Sequence, residues 1–212
     1  MKTITDNLRD CADHYGNLAK TLGPSAKAAG WRDEETQFLR FAQLYKIIDP
    51  SLKDFTIADV GCGFGALLEA MPQNLKSNLA RYDGYDISED MIKAAQEKHK
   101  GNTKARFIQN SKITTPVDYC VESGIFNHHF DADRNEWKKH IQNTIKHMVE
   151  NAKRGVAFNI MSNRVDYEEG YIYYADPAEL LTFCLENFGR HVHLIHDYPL
   201  YEFTVLIRKQ GA

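Results

Sequence analysis

Asp59-Val60-Gly61-Cys62-Gly63-Phe64-Gly65, followed about twenty residues later by Gly84-Tyr85-Asp86-Ile87-Ser88, decides how this chain is read. The first segment is a glycine-rich turn leaving an apolar strand, Phe55 to Val60. The second ends another strand in a carboxylate. Glycines let a backbone approach its ligand closely, and an acid at that distance accepts hydrogen bonds from ribose hydroxyls. Together they predict a site for a nucleoside-bearing cofactor at the carboxyl edge of a parallel sheet.

The surrounding sequence alternates strands and helices. Ala66 to Met71 reads as a helix stopped before Pro72, and Ala80 to Asp86 as the second strand. Ser88 caps the next helix, with Glu89 and Asp90 in its first turn and Met91, Ile92 and Ala95 on its inner face. Ala105 to Ile108 is a third strand and Tyr119 to Phe126 a fourth. Trp137, Ile141, Ile145 and Met148 recur at helical spacing, and Val156 to Met161 is a fifth strand. A polar, tyrosine-rich insertion spans residues 163–175. Asp176-Pro177-Ala178-Glu179 then signals a helix start with a capping box, and Gly189 a helix end. His191 to His196 and Glu202 to Arg208 are joined by so few residues that they must run antiparallel. Upstream, residues 1–30 show no strand and are broken by Gly16, Gly23-Pro24 and Gly30. Asp33-Glu34-Glu35 opens a helix whose inner face is Phe38, Phe41, Tyr45 and Ile48, ended by Pro50. The expected architecture is α/β: a doubly wound, mainly parallel sheet closed by an antiparallel hairpin. The chain divides into a helical cap region, 1–54, and a cofactor-binding domain, 55–212.

Composition excludes several classes. The 212 residues are 43% apolar and 26% charged, ordinary for one globular domain. A net charge of −3 lacks the basic excess of a phosphate-backbone binder and argues against nucleic acid. No apolar run is long enough for a membrane span, and Met1 to Asp6 lack the core of a signal peptide, so a cytoplasmic protein is expected. Cys11, Cys62, Cys120 and Cys184 are scattered and read as reduced structural thiols. The pairs His128-His129 and His191/His193 have no accompanying carboxylates at ligand spacing, so no metal is expected.

Taken alone, the glycines also fit a nicotinamide-dependent oxidoreductase. Asp59 counts against it, since a dinucleotide strand is apolar there, and no second catalytic domain follows. The first motif combined with Asp86 resembles the class I S-adenosylmethionine-dependent methyltransferases, whose sheet carries a seventh, antiparallel strand that the closing hairpin supplies. The resemblance implies S-adenosylmethionine as cofactor and S-adenosylhomocysteine as product. It implies that Gly61, Cys62, Gly63 and Gly65 wrap the methionine portion, with Asp59 orienting that loop or the amine. Asp86 then holds the ribose, Ile87 packs on the adenine, and Met91 stands beside it. Where many members place an acid after the third strand, this chain has Asn110 and Ser111. Ser123 and Gly124 fall beside the sulfonium. Gln37 and Arg40, on the helix before the first strand, are candidates for the methionine carboxylate.

The acceptor side carries fewer signals. The Asn/Asp-Pro-Pro-Tyr/Phe motif of amino-nitrogen methyltransferases of nucleic acids is absent after the fourth strand. An oxygen or protonated nitrogen acceptor needs a group to take its proton. His128 and His129 follow the fourth strand directly, and His196 shares a strand face with Val192 and Leu194, taken as inward. Tyr15 and Trp31 before the cap helix, Asn127, the insertion tyrosines Tyr167, Tyr173 and Tyr174, and Tyr198 are the substrate-binding candidates; tyrosine offers a flat wall and a hydroxyl. The expected activity is methyl transfer to oxygen or nitrogen of a small polar metabolite, sugar-linked, nucleotide-linked or a secondary-metabolite precursor, by a monomer or homodimer. RNA or protein methylation, nicotinamide oxidoreduction and non-catalytic cofactor binding are the alternatives.

Overall fold

The computed structural model describes residues 3–23 and 25–209. Pro24 of the expected Gly23-Pro24 break, Met1 and Lys2 of the opening stretch, and the outer bounds of the two expected regions lie outside the described residues. Seven strands form one sheet in the order β3-β2-β1-β4-β5-β7-β6. They are β1 (Phe55–Val60), β2 (Leu79–Asp86), β3 (Ala105–Gln109), β4 (Val117–Ser123), β5 (Ala152–Met161), β6 (Val192–Ile195) and β7 (Glu202–Arg208). The first five are parallel; β7 runs antiparallel to both β5 and β6. This is the expected doubly wound sheet with its closing hairpin.

Both faces of the central strands are covered, which is why they read as near-continuous apolar runs. On one face, Trp137, Ile141, Ile145 and Met148 of α6 (Arg134–Asn151) pack with Phe158, Ile160, Phe203 and Val205. On the other, Phe41 and Leu44 of α2 (Glu34–Leu44), with Tyr45 and Ile47 of the 3₁₀ turn that follows, meet Ile57, Tyr119, Val121 and Leu206. Five more helices complete the layers: α1 (Ile4–Leu22), α3 (Ala66–Ala70), α4 (Gln73–Asn78), α5 (Glu89–Lys98) and α7 (Pro177–Phe188).

Several expectations are corrected. Residues 4–22 of the helical cap region, read as mixed and polar and broken at Gly16, form one unbroken helix, α1, started by a reciprocal capping box between Thr3 and Asp6. It packs on α5, where Lys20 meets Asp90 at 2.8 Å. Helix α4 was not expected, because Pro72 was read only as a stop. Phe38 is half exposed, since Gln37, Arg40, Phe41 and Leu44 form the buried side of α2. Strand β4 ends at Ser123 rather than Phe126, because Gly124 takes a φ of +103° and turns the chain away. Asp176 caps α7 through the amides of Ala178 and Glu179, but the Glu179 carboxylate pairs with Lys138 instead of closing the box. No helix among the described residues is long and apolar enough to cross a membrane.

Candidate active site

At the carboxyl end of β1 the chain is tied to β2: the amides of Gly61 and Cys62 both donate to the Tyr85 carbonyl, at 2.7 and 3.0 Å. Gly61 has a φ of +78°, and a Cβ there would stand 2.1 Å from Cγ2 of Ile125. Only glycine fits. Two residues on, the Gly63 amide donates to Oδ2 of Asp86 at 2.9 Å, while Oδ1 accepts from the Ser88 amide at 2.8 Å. Asp86 thus joins the glycine turn to the start of α5. Each oxygen retains acceptor capacity, and the residue lines the cavity. Burial raises its pKa, opposed by these amide bonds.

Asp59 lies one layer deeper. It is buried and accepts a short hydrogen bond from the Tyr82 hydroxyl. Burial pushes its carboxyl up from 3.8 to about 7, with the Tyr82 bond acting against the shift and Asp86 adding to it. The folded chain therefore holds a proton here that the unfolded chain has released, so stability falls as pH rises from the unfolded value toward the folded one. Asp59→Asn is expected to exceed the parent in stability by on the order of 2 kcal/mol at about pH 8 and to lose that advantage near pH 4. Urea denaturation at the two pH values measures this.

One cavity, lined by described residues, joins these groups to the end of β4. Asp59, Gly61, Cys62, Gly63, Asp86, Ile87 and Met91 line one part, with Asn110 and Ser111 beyond β3. Ser123, Gly124, Asn127, His128, Tyr15, Trp31 and Gln37 line the other. Helix α6 runs beneath both. Its Trp137 indole donates to the Phe126 carbonyl at 2.9 Å, and Nε2 of His147 accepts from the Ile113 amide at 3.0 Å. Sequence reasoning missed Trp137, His140 and Thr144 of α6 and Leu8, Cys11 and Ala12 of α1 as lining. Their signal was a second stripe at helical spacing, 137/140/144 and 8/11/12/15, beside residues read as core or as irregular chain.

Two histidines line the cavity, His140 on α6 and His128, the one of the three expected histidines that falls there. Its ring stacks on Tyr171 with centroids 5.8 Å apart and stands edge-on to Tyr15 at 6.0 Å. Its imidazole makes no hydrogen bond to the described residues. Burial, followed by the proximity of His14, lowers its pKa to about 4, so it is neutral at physiological pH. Asn127 serves the backbone: its side-chain oxygen accepts from the Met161 amide at 2.9 Å and its carbonyl from the Tyr173 amide at 2.7 Å.

Eight expected residues stand outside the lining. Gly65 caps α3 and backs onto His99 and Phe107. Arg40 is held by Glu202 through two 2.8 Å bonds, and its remaining nitrogen donates to the Thr36 carbonyl. His129 is directed to the Ala132 carbonyl at 3.1 Å. His196 lies past the end of edge strand β6, exposed, against Phe203. Tyr167 is 70% exposed. Tyr173 is buried under Arg134, and the Tyr174 hydroxyl accepts from the Glu169 amide. Tyr198 is buried, bonded to Thr204 at 3.0 Å. The insertion therefore braces the loop behind His128 rather than walling the cavity.

Residues 58–153 match a family model described as a methyltransferase domain. A Mycobacterium tuberculosis (strain H37Rv) protein, Rv1506c, provisionally named a methyltransferase, is 38% identical over 157 residues, covering 73% of this chain and 93% of that one. The chain belongs to the class I S-adenosylmethionine-dependent methyltransferases. Solved structures carry the same fold at low identity. N-methyltransferase NodS from Bradyrhizobium japonicum, in complex with S-adenosylhomocysteine, aligns with a TM-score of 0.65 at 15% identity, over 93% of this chain and 99% of that one. Magnesium protoporphyrin IX methyltransferase from Synechocystis, with bound S-adenosylmethionine, gives 0.61 at 16% identity over 93% and 90%.

Proposed function

We propose that this methyltransferase acts on an oxygen or nitrogen atom of a small polar metabolite, with His128 as proton acceptor. The carrying observation is the position of His128: a neutral imidazole lines the cavity, its nitrogens not spent on the protein, on the short loop that follows Ser123 and Gly124. The residues fit the cofactor. Gly61 and Gly63 leave the backbone bare for the methionine portion, Asp86 faces the cavity with spare acceptor capacity for two ribose hydroxyls, and Ile87, Met91, Asn110 and Ser111 surround the adenine position. Asp59 and Gln37 lie toward the amino-acid end. When bound, S-adenosylmethionine supplies an electrophilic methyl group on a sulfonium, so the protein's task is to align two reactants, exclude water and take one proton. Tyr15, Trp31 and Ile125 close the cavity around Ser123 and Gly124, and His128 accepts the proton. The name of one solved neighbour, a magnesium protoporphyrin IX methyltransferase, supports a small acceptor, and that of the other, an N-methyltransferase, supports nitrogen as an acceptor atom.

Tritiated S-adenosylmethionine offered to fractionated extract tests the reading. Label is expected in the low-molecular-weight fraction; label confined to RNA or protein overturns it. With that acceptor, His128→Gln is expected to lower kcat about 100-fold at unchanged affinity for S-adenosylhomocysteine, the low end of the general-base range because so weak a base takes the proton late. Since His128 must be neutral to work, the acidic limb of kcat/KM is expected near pH 4, not near the 6.5 of an ordinary histidine.

A further inference from the structure

Arg40 was a candidate for the methionine carboxylate, and the structure gives it another task. The guanidinium is almost enclosed, 10% exposed, against a Glu202 side chain 1% exposed. Nε donates to Oε2 and NH2 to Oε1 of Glu202, each at 2.8 Å, and NH1 donates to the Thr36 carbonyl one turn back on α2, at 2.9 Å. All three nitrogens are committed, so the planar group has one orientation. Its flat face covers the Trp31 indole, with Cζ 4.3 Å from the ring centroid. The indole in turn closes on Gly124: a Cβ there would lie 2.8 Å from both Cζ2 and Cη2 of Trp31. Gly124 follows Ser123 at the end of β4, where the cavity carries the methyl-transfer groups.

We propose that Arg40 is a positioning residue that, clamped by Glu202, holds the Trp31 indole against Gly124 as a fixed wall at the reacting end of the cavity. Among the described residues the Trp31 indole makes no hydrogen bond, and the residue's backbone amide donates to the Ala26 carbonyl at 2.9 Å. It sits on an irregular turn between α1 and α2, where no helix or strand sets the side chain. The guanidinium supplies the missing constraint from the sheet itself, since Glu202 opens β7 and pairs with Met161 at the end of β5. Glu202, Arg40, Trp31 and Gly124 thus connect the sheet edge to the cavity wall by direct contact. The proposal rests on the cofactor placement given under Proposed function.

The test reads Trp31 separately from the acceptor. The fluorescence of each protein minus that of its Trp31→Phe counterpart isolates the indole. Acrylamide quenching then reports how well it is held, and calorimetry with S-adenosylhomocysteine reports the wall. Arg40→Leu/Glu202→Met removes both charges together, which a fold tolerates far better than removing one. Arg40→Lys keeps the charge but loses the planar stack, and is read if the double variant does not fold. In either variant we expect Trp31 quenching to rise about threefold and cofactor-product affinity to fall about tenfold, with far-UV circular dichroism unchanged. Unchanged quenching overturns the proposal, and so does raised quenching with unchanged affinity. Failure of the parent protein to bind S-adenosylhomocysteine would overturn the cofactor placement, whereas the quenching comparison alone would still decide whether Arg40 holds Trp31.

Discussion

Asp86→Asn is expected to weaken binding of S-adenosylhomocysteine about 100-fold, and Asp86→Ala about 1,000-fold. The carboxylate does two things at once. It accepts the Gly63 and Ser88 amides, which sets the glycine turn against α5, and it offers its remaining lone pairs to the ribose. Hydrogen bonds to a charged group contribute about 1.5–3 kcal/mol each, and two of them amount to the alanine figure. Asparagine keeps one acceptor oxygen but turns the other position into a donor facing an amide donor, so the turn loosens as well as the ribose contact. Calorimetry measures the loss, with circular dichroism to confirm the fold. An affinity within threefold of the parent would remove Asp86 from the site, and binding of NADH in its place would return the glycine turn to its other reading.

That the glycine turn and Asp86 could be read in advance has a physical reason. Both are short-range features: a turn needing positive φ, a strand end, and a capped helix start, all inside thirty-odd residues. The closing hairpin was legible likewise, because five linking residues leave no room for a parallel return. What escaped depends on distant partners. Arg40 looks like the polar face of a helix until its acid is found 162 residues away. Helix α1 carries Leu8, Cys11, Ala12 and Tyr15 at helical spacing, but it fully buries only Asn7, Cys11 and Gly16, and the glycines at 16 and 23 made the stretch read as broken. The tyrosines of residues 163–175 promised a wall, yet their hydroxyls and backbone brace a loop, and composition alone does not distinguish the two. His196 was placed inward by extending β6 one residue past Ile195, where the edge strand ends and the chain turns to solvent.

The Arg40–Glu202 pair also governs the largest expected loss of stability. Arg40→Met should cost about 3–5 kcal/mol, because it leaves the Glu202 carboxylate buried without its counter-ion. The surroundings make this worse. Glu122 is wholly buried, its pKa driven up first by burial and also by Glu202, so a second carboxyl stands close to the stranded charge. For a chain of this length each kcal/mol shifts the melting temperature by about 2–4 °C, so a fall of about 10 °C is expected. Two controls separate charge from packing. Adding Glu202→Met to Arg40→Met should restore most of the loss, since two apolar side chains of similar volume can replace a buried pair at little cost. Lowering the pH should also narrow the gap between Arg40→Met and the parent, as the stranded carboxylate takes up a proton and ceases to be a buried charge. If the single and double variants melt together at every pH, the loss comes from packing around Trp31 and not from the pair. A double-mutant cycle by chemical denaturation then gives the coupling energy directly.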